Sequence, residues 1–269
     1  MKRTIKDFVL RFPRLRTLLS DFGLEVPLPI WDKKPDRNNG YYSQYGQDHW
    51  IVERVFPDRL EPGFFIEMGA GDGLLLSNTA ILEKKFNWTG LLIEPSHQFE
   101  KLEENRNSAC INACISNKKG YIYIAEMPAP SCMKVDPNNA LRSMTIDATD
   151  VYDAKSKALS RLPHNFKDRI TQDMIAVREV KCTTMKDVLL ECGAPKTIDY
   201  MSLDVEGHEY EIMSNFPFEE YKVLAMNIER PNKELRSLLG EKGYFSVARN
   251  QCGDLFYIHE SMSGRYYSN

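Results

Sequence analysis

The chain has 269 residues, 42% of them apolar and 27% charged, and 35 Lys+Arg against 38 Asp+Glu leave a formal net charge of −3. These proportions exclude wholesale disorder, a collagen-like fibre and a disulfide miniprotein. They also argue against a domain that binds nucleic acid through bulk positive charge, so no nucleic-acid partner is expected.

In chain order, Ile5, Phe8, Val9, Phe12, Leu15, Leu18, Leu19 and Phe22 recur at helical spacing, with Lys2, Arg3, Lys6, Arg11, Arg14 and Arg16 between them and Pro13 as an interruption. Such a basic amphipathic pattern either lies on an anionic membrane surface or packs its apolar stripe on the domain or on another subunit. Residues 23–40 hold Gly23, Pro27, Pro29, Pro35 and Gly40 and read as an extended linker. The division expected is therefore an extension over 1–40 and a folded domain over 41–269.

From about residue 47, strands alternate with helical patterns. Strands are expected at Phe64–Met68, Gly90–Glu94, Ala109–Ile115, Ile198–Leu203 and Val223–Ile228, with a helical stretch to Phe86 after the first and a helix to about Arg106 after the second. Phe245–Ala248 and Leu255–His259 form a hairpin-like ending around Asn250-Gln251-Cys252-Gly253. The alternation predicts an α/β fold, a mostly parallel sheet with helices on both faces. Residues 126–180 break the rhythm with Pro128, Pro130 and Pro137 and a polar stretch. They read as an insertion without regular elements of its own: functional, partly helical or disordered.

No apolar run approaches the roughly 18 residues that span a bilayer. The six cysteines, at 110, 114, 132, 182, 192 and 252, form no CxxC pair, as expected of a reducing compartment. A cytoplasmic protein is expected, with peripheral contact at the inner membrane face and self-association both open through residues 1–22.

The chemistry is concentrated at Glu67-Met68-Gly69-Ala70-Gly71-Asp72-Gly73, after the first strand. Glycines let the backbone turn tightly and approach a ligand. Glu94 ends the next strand, where a carboxylate can accept hydrogen bonds from two ribose hydroxyls. The plainer reading is a tight turn with an exposed Glu94. A P-loop is excluded, since no GK[ST] follows the glycines. Glu67 and Asp72 flank the turn where a pyrophosphate would want neutral or positive neighbours. Two acids suit S-adenosylmethionine, with its ammonium, its sulfonium and no phosphate, and so methyl transfer over hydride transfer.

Four blocks then resemble the FkbM-type S-adenosylmethionine-dependent methyltransferases: Tyr42-Ser43-Gln44-Tyr45-Gly46-Gln47-Asp48; Phe65 to Gly73 with Ser77 and Asn78; Leu92-Ile93-Glu94-Pro95; and Ile198 to Glu209. They run from about residue 42 to 230. Gln47 stands where the family pattern has an acid. The resemblance implies a Rossmann-like class I methyltransferase fold with seven strands, the last antiparallel, and O-methylation of sugars or polyketide-type natural products. It implies a cofactor site formed by Gln44, Asp48, Glu67, Gly69, Ala70, Gly71, Asp72, Gly73, Ser77, Asn78, Glu94, Pro95, Ser96, Ala113, Cys114, Asp204 and Val205. For Gln44 and Asp48 the competing reading is an N-terminal brace.

Ligands of open α/β sheets bind beyond the carboxyl ends of the strands, where Asp204, Glu206, His208 and Glu229 lie. A sugar hydroxyl is a weak acid and needs a base or a metal to lose its proton. In one scheme His208 is the base, oriented by Glu206 or Glu209. In the other, Asp204 and Glu229 hold a Mg²⁺-like ion. The plainer readings are a locally bonded helix-start histidine and a Glu229–Arg230 ion pair. Arg142, Lys155, Lys157, Arg161, His164, Lys167, Arg169 and Arg178 of the insertion either grip an anionic acceptor or form a solvated face, and His97 and His259 read as solvated or structural. The expected acceptor is a surface glycan or its precursor. Alternatives are a small natural product, a protein acceptor, or a non-catalytic S-adenosylmethionine-binding module.

Overall fold

The computed structural model describes residues 27–268 except 60, 118, 129–140 and 163–166. Residues 1–22 and His164 thus lie outside the described residues. The strands are β1 (Phe64–Met68), β2 (Thr89–Ile93), β3 (Ala109–Ile111), β4 (Cys114–Ile115), β5 (Gly120–Pro128), β6 (Leu141–Ile146), β7 (Ala176–Thr183), β8 (Thr197–Leu203), β9 (Lys222–Ile228), β10 (Tyr244–Arg249) and β11 (Leu255–His259).

Seven of these form one sheet in the order β10-β11-β9-β8-β1-β2-β3. β1, β2, β3, β8 and β9 pair in parallel, while β11 runs antiparallel to both β9 and β10. This is the seven-stranded arrangement that the resemblance implies. Both faces are covered, which is why the central strands read as continuous apolar runs. Ile66, Met68, Met201 and Met226 pack on one face beneath helices Met185–Glu191, Glu209–Ser214 and Lys233–Glu241. Phe65, Leu92, Tyr200 and Phe256 pack on the other, against Trp50, Ile81, Leu82 and Leu102.

Three expectations change. The third strand divides: Ala109–Ile111 stays in the large sheet, and Cys114–Ile115 crosses to another. The stretch after the glycine turn is a loop up to Thr79, and the helix begins only at Ala80. Asp72 Oδ1 accepts from Leu74 N and Leu75 N at 2.9 and 2.7 Å, and Leu76 takes φ +61°, which no α-helix allows.

The third change is the largest. The insertion is not irregular: its β6 and most of β7 join β4 and β5, which begin before it, in a second four-stranded sheet, β4-β7-β5-β6. One face buries Ala125, Met127, Met144 and Ile146 under helix Val151–Arg161, through Ala154 and Ala158. That helix starts at Asp150, whose side chain accepts from Asp153 N. Among the described residues, no helix is long and apolar enough to cross a membrane.

Candidate active site

The glycine turn lies at the carboxyl end of β1. Gly69 has φ +79°, and a Cβ there would stand 1.9 Å from the Asp204 carbonyl oxygen, so no other residue fits. Gly69 N donates to Ile93 O at 3.0 Å and Asp204 N to Met68 O at 3.2 Å. The turn is thereby tied to the ends of β2 and β8.

Glu94 is buried beside it. Its Oε2 accepts from Gly71 N and its Oε1 from Ser96 N, both at 2.7 Å. A carboxylate oxygen has a second lone pair, so each can still take a ribose hydroxyl.

Glu67 is differently used. Its oxygens accept from Ser77 Oγ at 2.9 Å, Asn78 N at 2.7 Å and Thr79 Oγ1. Arg106, which has no exposed side-chain surface, stands 3.6 Å from it and 3.3 Å from Glu83. The same guanidinium donates to Gly73 O at 3.0 Å and to Thr79 Oγ1 at 3.1 Å, and lies over the Phe65 ring. Burial raises the Glu67 pKa, against the pull of Arg106 and the three donors. At Glu83 the balance goes the other way: burial opposes, but Asn107, Ser108 and Arg106 together lower it.

Glu67 and Asp72, expected to meet a cationic cofactor end, are therefore both consumed by the loop itself. Sequence reasoning misses Arg106. A signal for it exists, because a glutamate within an apolar strand demands a buried partner.

Asn78 faces the cavity in their place. Its Nδ2 donates to Ser202 Oγ at 2.8 Å, the same oxygen that Asn227 Nδ2 approaches at 3.4 Å, and Tyr200 OH donates to Asn227 Oδ1. This network fixes the amide with its Oδ1 buried and unpartnered among the described residues. A buried acceptor without a donor is costly.

One cavity runs from Gly69, Ala70 and Gly71 past Glu94, Pro95, Ala113 and Cys114 to Asp204, Val205, Glu206 and His208, and is closed by Ser143, Met144 and Thr145 of the edge strand β6. Ser77 and Asn78 also line it. Glu67, Glu94, Asp204 and Glu206 are among its lining residues, Glu67 and Glu206 with an arginine beside them, and among the described residues no lysine or arginine lines it.

Several expected residues lie elsewhere. Gln44 is exposed, Gly73 packs on Leu102 and Arg106, Ser96 supports Glu94 from outside the lining, and Glu229 does not line the cavity. Asp48 is buried and accepts from Tyr42 N and Ser43 N at 2.6 and 3.0 Å. Ser43 in turn bridges to Leu76 of the glycine loop. The leading segment therefore braces that loop, and neither Gln44 nor Asp48 reaches the cavity. Gln47 Nε2 donates to Asp254 at 3.4 Å, a place where a second acid would be repelled.

At the far end, oxygens of Asp204, Glu206 and Glu229 lie within 4.8 Å of one another. Arg230 binds Glu229 and stands 3.8 Å from Glu206. Oxygen donors suit Mg²⁺ in principle. Here a guanidinium already engages two of the three acids and supplies the positive charge, so the set does not fit a resident metal. Glu206 adopts φ +56° and Arg230 +34°, strain of the kind stored at functional sites. The Asp204 side chain has no hydrogen-bond partner among the described residues. It is exposed and opens to the cavity. Partial enclosure by the surrounding protein, then the charges of Glu206, Asp254 and Glu209, raise its pKa well above the usual value, with Arg230 opposing.

His208 stands at the N-cap position of helix Glu209–Ser214 without a side-chain cap bond. Its Nδ1 lies 3.5 Å from Glu211, rather than meeting Glu206 or Glu209 as expected. Glu209 instead accepts from Val205 N and Gly207 N. Burial lowers the His208 pKa, with Glu211 opposing. Thr145, whose backbone His208 contacts, has a buried Oγ1 that is unpartnered among the described residues. The insertion cations do not line the cavity: Lys157 pairs with Asp153 at 2.7 Å, Arg161 donates to Thr145 O at 3.1 Å, and Arg178 turns to Glu126 and Pro95. The Arg142 side chain lies outside the described residues.

Among curated proteins, none matches the chain. Solved structures similar to it include the METTL16 MTase domain (crystal form 2), at 13% identity and TM-score 0.41 over 94% of this chain and 80% of that one. Another is the human methyltransferase 10 domain containing protein, at 14% and 0.38 over 95% and 96%. At this distance the likeness bears on neither acceptor nor mechanism. The family model of the methyltransferase FkbM domain matches residues 67–246, from the glutamate of the glycine turn to β10. With that match over more than half the chain, and with the strand order and the glycine turn in place, the protein belongs to the FkbM methyltransferase-domain family.

Proposed function

We propose that the protein transfers a methyl group from S-adenosylmethionine to a hydroxyl of an uncharged acceptor, a sugar of a surface glycan or glycan precursor. The observation that carries this reading is the cavity's lining: Glu94 and Asp204 without an ion pair and, among the described residues, no lysine or arginine. A phosphate-bearing ligand would find no counterion among the described lining residues. Hydroxyls donate to carboxylates, and a cationic cofactor is attracted by them. S-adenosylmethionine, when bound, supplies a methyl group on a positively charged sulfur.

Glu94 accepts from the ribose hydroxyls, Asn78 Oδ1 accepts from the ammonium, and Pro95, Ala113 and Cys114 flank the base. The acceptor lies between Ser143 and Thr145 on one side and Asp204 on the other. Asp204 takes the hydroxyl proton, being the cavity carboxylate not engaged by another group. Its raised pKa makes it a stronger base than an ordinary aspartate. Asp204→Asn is expected to lower kcat by about 10²–10⁴-fold, with S-adenosylmethionine still bound. Because the base must be deprotonated, activity rises with pH along a limb displaced above the ordinary carboxylate range, and that limb disappears in the variant. His208 is the second reading, favoured by the burial that keeps its ring neutral; a larger loss in His208→Gln than in Asp204→Asn would select it. EDTA is expected to leave turnover unchanged, and activity that needs added Mg²⁺ would return the acid cluster to a metal role.

Transfer of labelled methyl groups to a panel of glycans tests the acceptor. Labelling only of small natural products or of proteins would replace the glycan, and no transfer to any acceptor would favour a binding module. A lipid-linked glycan would also give the basic residues 1–22 an anionic surface to lie on. Sedimentation with anionic vesicles checks this, and an unbound N-terminal segment would point to a soluble acceptor.

A further inference from the structure

The insertion sheet reaches the nucleoside half of the cavity at two places. β4 begins at Cys114, which lines the cavity and pairs with Cys182 of β7. On β5, Glu126 is buried with its carboxylate against the loop that follows β2. Its Oε1 accepts from His97 N at 3.0 Å and lies 2.9 Å from His97 Nδ1. Arg178 of β7 stands 3.7 Å from Glu126 Oε2 and donates to the Pro95 carbonyl. Pro95 and His97 enclose Ser96, whose N–H holds Glu94 Oε1. The chain that orients Glu94 is therefore gripped on both sides by residues of the insertion.

We propose that Glu126 and Arg178 are positioning residues of the cofactor site, so that the insertion sheet sets cofactor affinity as well as enclosing the acceptor. The proposal rests on the assignment of S-adenosylmethionine to this cavity. Without Glu126, the His97 amide loses its acceptor and the loop loosens. Ser96 then no longer fixes the carboxylate that faces the ribose. Glu126→Gln keeps an oxygen for the His97 amide but loses the charge that faces Arg178.

Calorimetric titration of the full chain with S-adenosylmethionine tests this, alongside amide exchange at Ser96 and His97. Glu126→Ala and Arg178→Met are each expected to weaken binding about tenfold or more, the scale of one charge-assisted hydrogen bond. Glu126→Gln is expected to recover part of that loss. Exchange at His97 is expected to quicken in Glu126→Ala, while Lys157→Ala, on the outer helix, leaves both readouts unchanged. If Glu126→Ala fails to fold, Arg178→Lys and Glu126→Gln carry the same test. Affinity and exchange unchanged in these variants would overturn the proposal alone. No binding by the unsubstituted chain would overturn the cofactor assignment and the proposal with it.

Discussion

Arg106→Met is expected to lower the unfolding free energy by about 3–5 kcal/mol, the usual result of leaving one member of a buried ion pair alone. Few single changes should cost this protein more, since domains of this kind have about 5–15 kcal/mol in total. Among the described residues, Arg106 is the cation paired with buried Glu67, and it also ties Gly73, Thr79 and Glu83 together. Its removal leaves the Glu67 carboxylate with three neutral donors and no counter-charge. Protonation relieves that, so the folded variant holds its proton more tightly than the unfolded chain does. Stability then falls as pH rises from the unfolded to the folded pKa, and the deficit against the unsubstituted protein shrinks at low pH. Urea unfolding across pH measures this, and Glu67→Gln in the same chain should restore part of the loss. A deficit that is small and independent of pH would contradict the assigned pair.

Gly69→Ala is expected to remove cofactor binding with a smaller cost in stability. A positive φ costs an L-residue about 1–2 kcal/mol, and the new Cβ must push the Asp204 carbonyl away from 1.9 Å. Both effects act where β1 and β8 end, between the turn and the proposed base. Gly71→Ala is the informative comparison. Its Cβ would meet only Gln98 Oε1 at 3.3 Å, the end of a flexible side chain. It should bind S-adenosylmethionine more weakly than the unsubstituted chain but better than Gly69→Ala. The reverse order would mean that the close approach of Gly69 to Asp204 is not what shapes the site.

The large sheet is legible in the sequence because its strands are buried on both faces and stand out as apolar runs between helical patterns. The glycine turn and Glu94 are legible because their spacing is local. The insertion sheet is not. Both its faces are covered only in part: Ala125 and Met127 pack under the helix and Ile124, Val180 and Cys182 on the opposite side, while Glu179 and Lys181 stay exposed, in a segment where prolines suggest irregular chain. The partner of Glu67 is hidden for a different reason: Arg106 lies beyond the next strand and helix, and only folding brings them together. Asp72 departs from its expected role because a carboxylate beside a turn can cap the turn itself. The His208–Glu211 contact, by contrast, spans three residues at a helix start and is readable from spacing alone. Gln47 departs from the family pattern, and its contact with Asp254 gives that departure a physical reason.

The most direct test of the central claim is a calorimetric titration of the protein with S-adenosylmethionine, repeated with Glu94→Ala and with NAD. The expected result is saturable binding of S-adenosylmethionine, strong weakening in Glu94→Ala, and no binding of the phosphate-bearing NAD. Absence of S-adenosylmethionine binding, or tighter binding of NAD, would contradict the assignment of this acidic cavity to methyl transfer.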